Sequence, residues 1–376
     1  MTRALLQIVP HRSLDSDGIG DYAVAIAERL RAAHDLTSRF IVARPDATTH
    51  AVDDGFDTIA LPARSGWGAA EADLLAVLDT AHSAKAAALI VHISGYGYAR
   101  YGAPFWLARA TARWKRQHGR SIPIIGVFHE LFSQGAPWDR RYWYGLRHKR
   151  FVRNMAALCD HVITPTQAYA DWLTAHCRLS SPPITMPVVS NVGEAAPSDD
   201  SAQRLNRMAI FARSGSAEAV YSRWHAQIAQ AVAAYGIEEI IDIGARASAP
   251  PASIGGVRVT AHGRLPAPAI AVLLSTCRVG FLAYQHMPLA KSTILAAYAA
   301  HGVVSLCGAD DAGPQDGLVA PDNFVHVGTV PDAAPFPVER EADMRRRIGA
   351  WYAQHDCAAQ ARMIACMVGD EEACRP

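Results

Sequence analysis

The sequence contains no stretch of about 18 consecutive apolar residues, so it offers no membrane-spanning helix. Excess charge of one sign is also missing. Thirty-six Lys and Arg stand against 35 Asp and Glu, a formal charge of +1, which removes any global electrostatic case for nucleic-acid binding. There is no Cys-x-x-Cys pair. The seven cysteines (Cys159, Cys177, Cys277, Cys307, Cys357, Cys366 and Cys374) mostly sit in apolar segments and read as buried free thiols in a reducing compartment. No metal-ligand cluster, no Gly-x-Ser-x-Gly elbow and no Gly-x4-Gly-Lys-Ser/Thr loop occurs, which argues against hydrolase and P-loop chemistry. The opening Met1-Thr-Arg-Ala-Leu-Leu-Gln-Ile-Val-Pro10 carries one charge and too short an apolar run for a signal peptide, and it reads as a first strand. A soluble or peripheral cytoplasmic protein is the expectation.

What is present is a globular composition, 50% hydrophobic and 19% charged over 376 residues, a length that suits two domains. Short apolar runs alternate with longer amphipathic stretches, the pattern of strands and crossover helices in a doubly wound parallel sheet. Strands are expected at Ala4 to Val9, Arg39 to Ala43, Ala87 to Ile93, Ile122 to Phe128 and His161 to Thr164, with helices at 23–33, 69–84, 104–118, 142–158 and 166–176. A polar stretch from Asn191, rich in Gly, Pro and Ser, suits an interdomain connection. The pattern then restarts, with strands at 207–212, 239–243, 257–261, 279–283 and 303–306 and helices at 217–235, 266–275 and 292–301. The predicted domains are 1–190 and 208–338, with a linker at 191–207 and terminal helices in 339–376.

Five places can carry chemistry. Gly18-Ile-Gly20-Asp21-Tyr22 follows the first strand, where glycines let backbone amides approach an anion at a helix start; a plain strand-to-helix turn has the same spelling. Strand Ile122 to Phe128 ends in His129-Glu130, at the carboxyl edge where open α/β sheets bind ligands. His129 suits a sugar hydroxyl or a phosphate oxygen, and Glu130 suits orienting the imidazole or the acceptor, the alternative being a histidine bonded into its loop. Arg140 to Arg153 holds six Lys or Arg and three consecutive aromatics, with no acidic residue between Asp139 and Asp160. That mix suits anionic lipid headgroups or a lipid-linked acceptor; the competing reading is a solvated helix face with its aromatics in the core.

In the second half, Arg213, Ser214 and Gly215 form a small-residue turn between strand and helix, compatible with phosphate. Tyr284 ends a strand, and Lys291, Ser292 and Thr293 stand at the start of the next helix as a diphosphate clamp. Ser292 alone would serve as a plain cap, which makes Lys291 the informative residue.

The order of these pieces resembles the GT-B-fold retaining glycosyltransferases of bacterial polysaccharide biosynthesis, over about residues 4–306. Gly18-Ile-Gly-Asp-Tyr22 looks like that family's glycine-rich loop and His129-Glu-Leu-Phe132 like its His-Glu-Leu-Tyr variant. Lys291-Ser-Thr-Ile-Leu-Ala-Ala-Tyr-Ala-Ala-His-Gly302 resembles its donor-site helix in a Lys-Ser form. The resemblance implies two Rossmann-like domains with parallel sheets facing a central cleft, an N-terminal domain for the acceptor and a C-terminal one for the nucleotide sugar. It places His129 and Gly20 near the transferred sugar and Arg213, Lys291, Ser292 and Thr293 near the diphosphate; Glu130 and Asp21 complete the candidate catalytic set, and Ser214, Gly215 and Tyr284 the candidate donor set. It also implies retention, no cofactor beyond the nucleotide-diphosphate sugar co-substrate, and no metal. The partners expected are that donor, a glycan or lipid-linked acceptor, and the cytoplasmic face of the inner membrane through residues 140–153. The chain departs from the family at two positions usually held by Glu, here Leu289 and Ala297. A nucleotide-sugar epimerase of the same architecture and a noncatalytic partner in glycan assembly are the rival readings.

Overall fold

The computed structural model describes residues 3–12, 18–44, 54–62, 67–82, 86–118, 122–133, 135–195, 204–212, 214–245, 248–284, 289–308, 313–330 and 337–374. The chain divides into two units, residues 1–187 with 357–376, and residues 188–356.

The first unit runs β1 (Arg3–Val9), α1 (Gly18–His34), β2 (Leu36–Val42), β3 (Asp57–Ala60), α2 (Trp67–His82), β4 (Ala86–Ile93), α3 (Gly95–Tyr98), α4 (Phe105–His118), β5 (Ile124–Phe128), α5 (Arg140–Ala156), β6 (His161–Thr164), α6 (Gln167–His176) and β7 (Ile184–Thr185). Its seven strands lie in the order β3-β2-β1-β4-β5-β6-β7, and every pair is parallel. β1, β4 and β5 are nearly continuous apolar runs because helices cover both faces of a parallel sheet. Leu6, Ile8, Val91 and Phe128 meet Trp106 and Trp114 of α4 and Phe151 of α5 in one dry cluster.

The second unit runs β8 (Leu205–Phe211), α7 (Ser214–Ala234), β9 (Glu239–Ile243), β10 (Ser253–Ile254), β11 (Val257–Gly263), α8 (Ala267–Thr276), β12 (Cys277–Ala283), α9 (Thr293–Ala300), β13 (Val304–Gly308), β14 (Val325–His326) and α10 (Val338–Ala353). Its order is β10-β11-β9-β8-β12-β13-β14, with β10 antiparallel to β11 and the other pairs parallel. Alternation along β8 sends Met208 and Ile210 to one face of the sheet and Ala209 to the other, so each face has its own core.

In both sheets the first strand of the unit lies in the middle and the strand order reverses beside it, between β1 and β4 and between β8 and β12. Ligands of open α/β sheets bind outside the carboxyl ends at such points.

The expected strands and long helices are present, most with ends shifted by a few residues. The edge strands β3, β10 and β14 and the short α3 were not anticipated. β3, at the sheet edge, is largely exposed and has no apolar run to announce it. The two terminal helices part company: α10 belongs to the second unit, whereas α11 (Cys357–Met367) packs on α1 in the first. The reading of all seven cysteines as free thiols needs correction, because Cys366 and Cys374 form a disulfide. The turn after α11, closed by the Asp370 N–H on Ala365 O and by Asp370 Oδ1 accepting from the amides of 372 and 373, brings their Cα atoms to 5.1 Å. A spacing of eight residues carries no sequence signal for that. The other five cysteines are free; Cys177 is half-buried and the rest buried.

Candidate functional site

The carboxyl edge of the first sheet is organised by polar side chains buried inside apolar strands. Gln7 of β1 is 1% exposed; its Nε2 donates to Ser38 Oγ of β2 at 2.8 Å, and its Oε1 lies 2.9 Å from His92 Nε2 of β4. His92 Nδ1 then meets His129 Nε2 at 3.0 Å. The two imidazoles stack at 5.3 Å with an 18° interplanar angle. Burial, and then the neighbouring His129, hold the His92 pKa well below its ordinary value, so this ring stays neutral. Tyr22 of α1 stands edge-on to both rings, at 5.8 Å from His92 and 5.1 Å from His129. Its phenol, kept protonated by burial, donates to Gln360 Oε1 of α11 at 2.5 Å, and Gln360 Nε2 donates to Pro187 O at 2.7 Å.

Backbone hydrogen bonds fix the loop that carries the second histidine: the amide of His129 donates to Ile93 O at 3.0 Å. Glu130 is exposed, and its Oε2 accepts from Ser94 Oγ at 3.1 Å. Gly20 is buried and Asp21 half-buried in the first turn of α1. The structure therefore brings His129, Tyr22 and the start of α1 together. It adds His92, Gln7 and Gln360, which the sequence reading missed. The one sequence signal for Gln7 and His92 is a polar residue inside an otherwise apolar strand, as in Ala4-Leu-Leu-Gln-Ile-Val9 and Ala88-Leu-Ile-Val-His-Ile93; Gln360, in helix α11, has none.

Helix α5 begins on Asp139, whose Oδ1 accepts from the Arg141 amide at 2.9 Å. Its inner face, Gly145, His148, Phe151, Val152, Met155 and Ala156, is buried. His148 is locked there by backbone, donating from Nε2 to Tyr101 O at 2.9 Å and accepting the Ser133 N–H at Nδ1 at 3.2 Å. Three of the cations lie over rings: Lys149 over Phe132, Arg150 over Phe105 and Arg153 over Trp172. The outer face is different. Tyr142, Trp143 and Leu146 are exposed, as is Trp138 at 88%, and Tyr96 of α3 and Tyr101 just after it are exposed too. Tyr101 stacks on Tyr144, and Tyr96 stands edge-on to His148. Among the described residues, six of the ten exposed large apolar side chains belong to this helix and the segments flanking it, which sets this face apart from the rest of the described surface.

The carboxyl edge of the second sheet is built from small residues. Gly244, just past β9, has φ +126°, and a Cβ there would lie 2.2 Å from Ala212 O, so a glycine is required. Its amide donates to Gly263 O at 2.8 Å. Asp242 is completely buried near the end of β9 and accepts the Tyr221 hydroxyl. Tyr284 follows β12, its amide donating to Gly308 O at 3.1 Å. Lys291 closes a 3-10 turn (Leu289–Lys291) and Thr293 opens α9. Ser292 between them is buried, its Oγ accepting from the Leu295 amide at 3.1 Å, so it is the N-cap of α9. Arg213 lies outside the described residues. Ser214 and Gly215 form the first turn of α7, where the backbone alone is described. Of the two positions that depart from the family pattern, Leu289 is half-buried and Ala297 is completely buried in the apolar core.

Residues 17–191 match the family model described as Glycosyl transferase 4-like domain. No curated protein matches the chain. Among solved structures, a putative UDP-N-acetylglucosamine 2-epimerase from Listeria monocytogenes is 11% identical, covering 99% of this chain and 97% of that one with a TM-score of 0.57. An alpha-glucosyltransferase in complex with UDP is 9% identical, covering 97% and 99%, with a TM-score of 0.56. The lipopolysaccharide outer core galactosyltransferase WaaB is 10% identical over 97% and 99%, also with a TM-score of 0.56. At these identities the likeness is one of fold, the two-unit Rossmann-like α/β architecture of GT-B proteins.

Proposed function

We propose that this chain, in which residues 17–191 match a glycosyl transferase 4-like domain, is a glycosyltransferase that moves a sugar from a nucleotide-diphosphate donor to a glycan or lipid-linked acceptor. The observation that carries the reading is the His92–His129 pair against the start of α1, inside the matched domain, at the sheet edge where ligands bind. His129 and Glu130 supply hydrogen-bonding groups for sugar hydroxyls, beside Gly20 and Asp21. In the second unit, Gly244 and Gly263 let a nucleotide approach the backbone. Lys291 with Thr293 and the free amides at the start of α9 then meet the diphosphate, joined by Arg213, Ser214, Gly215 and Tyr284. Cations and helix dipole so placed stabilise the departing nucleoside diphosphate without a metal, because preorganised positive charge serves where negative charge develops. A hexose donor, retention at the anomeric carbon, and a role in bacterial polysaccharide synthesis follow from the family resemblance. UDP, present with the alpha-glucosyltransferase neighbour, is the first nucleotide to test.

The outer face of α5 supports an acceptor presented at the cytoplasmic face of a membrane. Arg140, Arg141, Arg147 and Arg150 alternate with exposed aromatics, the composition that suits an anionic headgroup layer, and among the described residues no helix is long and apolar enough to cross one. Sedimentation with phosphatidylglycerol vesicles should fall on Arg147→Glu with Arg150→Glu; unchanged binding would return this helix to a plain solvated face.

The epimerase fold neighbour makes a second activity worth separating by product. Incubation with uridine, guanosine, adenosine and thymidine diphosphate sugars should release nucleoside diphosphate and, with acceptor, a glycoside. An isomerised nucleotide sugar with no release would make the chain an epimerase. Neither product and no binding would make it a noncatalytic partner.

A further inference from the structure

Two of the seven cysteines differ from the rest in access. Cys159, Cys277, Cys307 and Cys357 are buried, and burial pushes the first three thiols up to about 12. Cys177 is half-buried, and burial pushes its thiol up to about 11. Such thiols hold almost no thiolate at neutral pH, the form that attacks a disulfide. Cys366 is half-buried and Cys374 is exposed, so their bond faces reagents in solvent. The turn that carries them has its own hydrogen bonds. The amides of Gly369 and Asp370 donate to Cys366 O and Ala365 O, both at 3.0 Å, and Asp370 Oδ1 accepts from the amides of Glu372 and Ala373. These bonds bring the two Cα atoms to 5.1 Å, within the span of a disulfide. The same turn is tied to its surroundings. Arg3, the first residue of β1, donates to Val368 O, and His34 Nδ1 at the end of α1 lies 3.5 Å from Asp370 Oδ2.

We propose that Cys366 and Cys374 are a reversible thiol–disulfide site that exchanges with low-molecular-weight thiols of the glutathione class, and that its closed form clasps the end of α11 onto α1 and β1. Closure consumes one glutathione disulfide. The Cys374 thiolate attacks it, forming a mixed disulfide and releasing one glutathione thiolate; the Cys366 thiolate then attacks the Cys374 sulfur, forming the internal bond and releasing the second. The two cysteine thiols lose two electrons and two protons, and glutathione disulfide takes them up as two thiols. Reduction runs the same steps backwards and enters at the exposed Cys374. The bonded cysteines are eight residues apart, and so short a loop restricts the unfolded chain less than a long one, which keeps the bond within reach of reduction.

The test equilibrates the full chain at pH 7.5 in glutathione buffers from fully reduced to fully oxidised, quenches in acid, labels free thiols with a maleimide under denaturation and maps them by mass spectrometry. Cys366 and Cys374 should close together in one two-electron transition while the other five cysteines stay free. A pair that stays open in glutathione disulfide, stays closed in excess glutathione, or stops at the mixed disulfide would overturn reversible closure. Hydrogen exchange then reads the clasp: the amides of 366–374 should exchange about 10-fold faster in the reduced form than in the closed one. Cys374→Ser, which cannot close, should match the reduced form in either buffer, and Cys366→Ser repeats the comparison from the other side of the bond. Exchange that reduction leaves unchanged would mean that the hydrogen bonds of the turn hold this end of α11 alone, and would overturn the clasp.

Discussion

Tyr98 and Tyr298 do the same job in the two units. The hydroxyl of Tyr98 lies 3.0 Å from Ile8 O of β1 and 2.8 Å from His92 O of β4, bridging the point where the first sheet reverses its strand order. In the second sheet the hydroxyl of Tyr298 lies 3.2 Å from Ala209 O of β8 and 3.0 Å from Phe281 O of β12, and it accepts the Phe211 amide at 3.2 Å. Gly280 makes room for that ring, since a Cβ there would come within 2.6 Å of it. Beyond this shared pin the edges diverge. The first sheet carries two imidazoles, a phenol and amides joined by hydrogen bonds and ring contacts; the second carries glycines, a capped helix start and a lysine. The first edge supplies side-chain chemistry and the second supplies backbone and charge. That is the division expected when one unit handles sugar hydroxyls and the other a nucleoside diphosphate.

The comparison breaks most visibly in kinetics. His129→Ala should lower kcat by about 100-fold or more, the scale of a lost acid–base or hydrogen-bonding group. Lys291→Ala should instead raise the donor KM, by about 10- to 100-fold for a charge-assisted contact. Steady-state rates with varied donor check both, and identical effects from the two variants would erase the division of labour.

Acid should weaken both units, because each buries neutral histidines. Burial pushes His355 from its ordinary 6.5 to about 4 and lowers His92, His148 and His301 as well. The unfolded chain takes up protons below pH 6.5 while folded His355 does not until about pH 4, so its contribution is fully present above pH 6.5 and is lost as pH falls towards 4. Urea titrations at pH 7.5 and pH 5 should differ by about 2 kcal/mol from His355 alone, and His355→Leu should flatten the slope accordingly.

The smallest effect separates the two pins. Tyr298→Phe should cost about 2–3 kcal/mol and Tyr98→Phe about 1–2 kcal/mol, since Tyr298 serves an amide as well as two carbonyls. Equal costs by urea denaturation would mean that the amide contact contributes nothing.

The sequence announced the two-sheet fold through its apolar runs, because parallel strands covered on both faces leave few alternatives. His129 was legible because it follows a strand that ends in a turn. His92 and Gln7 were not, since their function depends on strand order, which places residues 85 apart at 2.9 Å. Tyr22 and Gln360 meet across a separation of 338 residues only because α11 returns to the first unit. Ser292 was legible in both of its readings, and the structure uses it as a cap.

The most direct measurement is a thermal-shift series on the wild type, Lys291→Ala and His129→Ala with uridine, guanosine, adenosine and thymidine diphosphates. Binding to the folded state must raise Tm by mass action. A rise with one nucleotide, lost in Lys291→Ala and kept in His129→Ala, is the predicted result. No rise with any nucleotide, or a rise that Lys291→Ala leaves intact, would contradict a donor site at the start of α9.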